Sequence, residues 1–125
     1  MSRGHGRIQD FILAGVTRNP DQAYPTPVVA SWYAEQSGAE ETSHLRASVR
    51  RAIGRLHAEG AVSAEELLLP TRVLASGAES SLRLIRCVAA PGVEWTTEVC
   101  ATAWDWMGRY LAADHRAVVD RMTGR

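Results

Sequence analysis

The residues with the plainest chemistry in this chain are arginines. Between Thr42 and Ala58 it carries Arg46, Arg50, Arg51 and Arg55 and no acid, although fourteen basic and fourteen acidic residues leave the whole chain without net charge. Local positive charge of this kind binds phosphates, and a guanidinium can also pair with the O6 and N7 atoms of guanine. All fourteen basic residues are arginine. With so much alanine beside them, that points to coding bias, so arginine over lysine carries little weight. A charged helix face is by itself commonly just a solvated one. Other chemistry is poorly represented. His5, His44, His57 and His115 have no ligand spacing with one another or with Cys87 and Cys100, so neither a metal nor any other cofactor is expected. There is no glycine-rich phosphate loop, nucleophile elbow or His-Glu-x-x-His motif. The pairs Glu40-Glu41 and Glu65-Glu66 fall near expected helix starts, where they complement the helix dipole. Acid, base and nucleophile cannot be assembled, and an enzyme is not expected.

The elements that would position the arginines follow from periodicity. A chain of 125 residues points to one globular unit. No secretory signal and no membrane span is read, so a cytoplasmic protein with two reduced thiols is expected. Met1–Arg7 reads as a flexible arm. Helical spacing of Ile8, Phe11, Ile12 and Val16 predicts a first helix from Arg7 to Val16. Thr17–Pro27, with three prolines, reads as loop; Thr26-Pro27 then starts a second helix, threonine as N-cap, that runs to Ser37 and ends at Gly38. A third helix is predicted from Thr42 to Glu59, stopped by Gly60. Leu45, Val49, Ala52, Ile53 and Leu56 form its inward stripe. The opposite side holds Ala47, Arg50, Arg51, Gly54 and Ala58, with Arg46, Arg55 and His57 on its flanks. Ser63-Ala64-Glu65-Glu66 resembles a capping box and predicts a short helix ending at Pro70. Thr71–Ala75 and Ser81–Ala89 are strand candidates around a turn at Ser76–Ser80. Pro91-Gly92 breaks the chain, and a long helix follows from Thr96 to Met122.

That order, three helices and then a strand-turn-strand, is mainly α with a small β-hairpin. The segment from Ser48 to Val62, SVRRAIGRLHAEGAV, resembles the recognition helix and exit turn of winged helix-turn-helix DNA-binding regulators of bacteria and phages. The small size and lone C-terminal helix resemble the PadR-like group. The resemblance implies a winged-helix domain over residues 1–92 and a C-terminal helix over 93–125. It also implies a third helix in the major groove of duplex DNA and a wing on the sugar–phosphate backbone. Arg50 and Arg51 would then face base edges or phosphates, Arg46 and Arg55 the flanking phosphates, and Arg72, Arg83 or Arg86 the backbone from the wing. Ala47 and Gly54 keep the exposed face thin. The last helix carries two apolar stripes, one spaced 4-3-4-3-4 from Val99 to Ala117, so a homodimer is expected through Val99, Ala103, Trp106, Met107, Tyr110 and Leu111. The competing expectation is a winged-helix module that docks an acidic protein. The balanced total charge favours it, as does a second half (residues 59–125) with seven arginines against nine acids.

Overall fold

The computed structural model describes residues 6–73 and 79–122. The N-terminal arm with Arg3 and His5, and most of the expected turn at Ser76–Ser80, lie outside the described residues. The described chain forms four helices and a three-stranded antiparallel sheet: α1 (Arg7–Arg18), β1 (Tyr24–Pro25), α2 (Thr26–Ser37), α3 (Ser43–Ala58), β2 (Ser63–Val73), β3 (Glu79–Ala89) and α4 (Thr97–Met122), with β3 at the centre of the sheet.

Local chemistry accounts for the helix ends. The Thr42 hydroxyl accepts the Leu45 N–H at 3.1 Å and caps α3. Gly38 and Gly60 hold φ of +73° and +75°, a left-handed turn that a Cβ would oppose, and so release the chain after α2 and α3. At α2 the expected cap is corrected. The N-cap is Pro25, and no side chain caps the helix. The Thr26 hydroxyl donates instead to the Arg86 carbonyl of β3 at 2.7 Å, because Tyr24–Pro25 pairs with Cys87 and Val88 and brings Thr26 against that strand. β1 itself lies within the segment expected to be loop.

The short helix expected over Ser63–Pro70 is also corrected. That segment is the first part of β2, paired residue by residue with β3 from Ser63↔Ala89 to Pro70↔Leu82. Tertiary contacts override its helix-forming alanine, glutamates and leucines. Leu69 is fully buried, and the Trp95 indole N–H donates to the Ser63 hydroxyl at 2.9 Å. The hairpin is therefore longer than expected, and its register slips on either side of Arg72.

The sheet separates two apolar clusters. Ile12, Val16, Val29, Val49, Ile53, Leu56 and Val88 join α1, α2 and α3 to one face. Val28, Leu69, Cys87, Ala89, Val99, Ala103, Met107 and Leu111 join the other face to α4. This overturns the expected dimer seam. Val99, Ala103, Met107 and Leu111 are buried in the chain's own core. Trp106 and Tyr110 are half-buried and bonded within the chain, to Gln22 and Glu41. The apolar stripe covers the sheet, and Pro91-Gly92 forms a turn between β3 and α4.

Candidate nucleic-acid interface

α3 is pinned by one side and open on the other. Val49, Ile53 and Leu56 are fully buried, and this turns Arg50, Arg51 and Arg55 outward to solvent, as the sequence predicts. Ala47 and Gly54 between them are half-buried and small, so the outward ridge stays low. Two grooves of about 480 and 500 Å³ run along its sides. One, toward the hairpin, is lined by Arg46, Arg50, Arg83 and Arg86, with Glu66 as the acid among them. The other, toward α1, is lined by Arg7, Arg51 and Arg55. The fold thus gathers onto one surface arginines that lie far apart in the sequence.

Arg86 reaches α3 itself. A Cβ at Gly54 would stand 3.5 Å from its guanidinium, an ordinary van der Waals contact, so the guanidinium lies directly against the surface of α3. Glu66 faces Arg86 across the ladder. Arg72 is exposed near the far end of β2, where Thr71 and Ser81 hydroxyls bond at 2.7 Å. It is not among the residues that line the groove beside α3. Arg7, expected at the end of the flexible arm, opens α1 and belongs to the surface.

Arg46 differs from the other arginines. Its guanidinium donates to Glu41 Oε2 at 2.8 Å, and the Tyr110 hydroxyl donates to the same oxygen at 2.7 Å. Burial first, and then that hydrogen bond to the carboxylate, raises the Tyr110 pKa far above the ordinary phenol range, so the phenol stays protonated and remains a donor. α4 is thereby tied to the start of α3, and Arg46 is already half-neutralised. Periodicity could not show this link, because Glu41 and Tyr110 are 69 residues apart.

The hairpin face that carries Arg86 continues outward as Leu84 and Leu82, with Leu68 opposite Leu84 in register. These leucines are 65%, 45% and 51% exposed. Among the described residues no group of three or more His, Cys, Asp or Glu side chains is placed to hold a metal ion. No described helix is long and apolar enough to cross a membrane. Compared with known proteins, the chain matches no family model, no curated protein and no solved structure.

Proposed function

We infer that the chain is a winged-helix domain that binds duplex DNA in a sequence-dependent way, with α3 in the major groove and the β2–β3 hairpin as the wing. The observation that carries this reading is the α3 surface: Arg50, Arg51 and Arg55 exposed on a low ridge, with Arg7 on one side and Arg83 and Arg86 on the other. Guanidinium groups on both flanks of a thin helix match a groove with a phosphate row along each wall. Regulation of transcription is the role such a site serves best, and no catalytic step is assigned to it. The reading includes two copies on a palindromic site. Their contact would have to use surface other than the stripe from Val99 to Leu111. Trp104, 40% exposed on the outer side of α4, is the large apolar residue there among the described side chains.

A selection of bound sequences from random duplex DNA tests this directly. A recovered consensus, lost in the Arg50→Ala/Arg51→Ala variant, is the expected result. The second reading, a module that docks an acidic protein through the same surface, is favoured by one observation: the exposed Leu68, Leu82 and Leu84 beside the basic groove. Leucines gain nothing from phosphates, whereas an acidic amphipathic helix would cover them. Retention of partner binding without any DNA consensus would decide for it.

A further inference from the structure

A cleft of about 500 Å³ opens between α1, α2 and α4. It differs in chemistry from the two arginine grooves. Its floor is aliphatic, from the buried Ile12, Val16 and Val29. Its wall is aromatic. Trp32 and Trp106 meet edge to face, 4.9 Å between centroids and 87° between planes, and Tyr24 lies 5.6 and 6.1 Å from them. Trp106 is fixed on two further sides: its N–H donates to Gln22 at 2.8 Å, and the Arg109 guanidinium stands 4.8 Å over the ring. The rim carries Arg18, Asn19 and Gln36.

Two indoles at right angles make a corner. A planar ring stacked on one indole turns its own edge to the face of the other, and both contacts suit the aromatic quadrupole. Because the corner is held in place before anything binds, little ordering is left for a ligand to supply. The exposed Arg18 guanidinium at the mouth selects for an acceptor, best a carboxylate. The size and composition are those of small-molecule sites.

We propose that this cleft binds a planar aromatic anion of indole or naphthalene size and that its occupancy is transmitted to α3. The route is short. Tyr110 follows Trp106 by one helical turn on α4, its hydroxyl holds Glu41, and Glu41 holds Arg46. A ligand seated against Trp106 bears on the turn of α4 that carries Tyr110, and so on the grip on Arg46. This second half of the proposal rests on the DNA reading of α3; the cleft itself does not.

The test is a titration of the full chain with naphthoate, followed by tryptophan fluorescence, with naphthylmethanol as the uncharged counterpart. Saturable quenching is expected, at least about 10-fold weaker for the alcohol. Arg18→Gln should erase that difference. Gly15 lines the cleft, and a Cβ there meets no atom within 4 Å, so Gly15→Leu fills the cleft from a position with room for it. It should weaken binding at least tenfold, about what one well-placed interaction is worth. Ala14→Leu, on the exposed rim, provides the same block if the glycine variant fails to fold. No saturable quenching, or quenching unaltered in a folded blocking variant, overturns the site. So does a blocking variant that turns a dimer into a monomer while the parent chain ignores naphthoate, since the cleft is then a contact between copies. In the second arm, saturating naphthoate should move the midpoint of DNA binding at least threefold, and Tyr110→Phe should remove that shift while keeping the quenching. A DNA midpoint that ignores naphthoate overturns the coupling. Quenching by a chain that binds no duplex defeats the DNA reading and leaves the cleft standing.

Discussion

Removing Arg50 and Arg51 together should cut the salt dependence of DNA binding by about two fifths, and the structure gives the size of the change. Five guanidinium groups stand exposed on and beside α3: Arg7, Arg50, Arg51, Arg55 and Arg83. Arg46 is left out of the count because Glu41 already holds it at 2.8 Å. Each phosphate neutralised contributes about −0.9 to the slope of log affinity against log salt. Five per copy give about −4.5, and two copies on one site about −9. In Arg50→Ala/Arg51→Ala the slope per copy should fall to about −2.7. Affinity should fall further than the phosphates alone require, because a guanidinium paired to a base edge discriminates by about 1–3 kcal/mol, and alanine forfeits it. Both side chains point away from Val49 and Ile53, so the thermal midpoint should stay within a few degrees of the parent. Fluorescence anisotropy on a labelled duplex across a salt series measures the slope, and circular dichroism checks the fold. A folded double variant with the parent slope would refute the assignment of this face to phosphates. A parent slope near zero would refute the DNA reading as a whole.

Glu41→Gln should act in the opposite direction. It releases Arg46 and steepens the slope by about 0.9, with little effect on stability because the pair is partly exposed; an unchanged slope in the same titration would show that Arg46 does not reach DNA. Leu69→Ala, at a fully buried position under α4, should cost about 2–5 kcal/mol in urea unfolding, and a loss below about 1 kcal/mol would mean that α4 is not docked on the sheet. Thr26→Val removes the donor to the Arg86 carbonyl and should cost about 1–3 kcal/mol in the same unfolding assay, the penalty for leaving a buried acceptor unpaired. Burial, and secondarily the neighbouring Cys100, raises the Cys87 thiol from 9.0 to about 12. A group that binds its proton more tightly when folded gives stability that is whole below pH 9 and is lost as pH climbs toward 12, here on the order of a few kcal/mol. Urea unfolding at pH 8 and pH 11 should show that loss, and Cys87→Ala should show less of it.

α3 is legible in the sequence because every local signal agrees: a threonine cap, a stripe of Val49, Ile53 and Leu56, and a glycine stop. Its outward arginines follow from the same wheel. β2 is not, because Ala64 to Leu69 prefer helix and become a strand only through pairing with β3 and cover from α4. β1 gives two residues and a proline, too little for any period. The apolar spacing on α4 is plain in the sequence, but the surface it meets is not. A stripe states that something covers it, and not whether that is a second copy or, as here, the chain's own sheet. The tie from Tyr110 through Glu41 to Arg46 is a tertiary event with no local trace.

The position of β2 in the sheet has a consequence for how the protein survives in a crowded cell. β3 is its only strand neighbour among the described residues, so one side of an eleven-residue strand with three consecutive leucines offers unpaired backbone groups. Such a strand is a template for another chain's strand and, repeated, for fibrils. The sequence blunts it at several points. Pro70 has no N–H to offer, Glu65 and Glu66 put two exposed negative charges on the approach to the leucines, and the slip around Arg72 spoils a straight alignment. The glutamates that look like a helix start are placed to act as gatekeepers against aggregation.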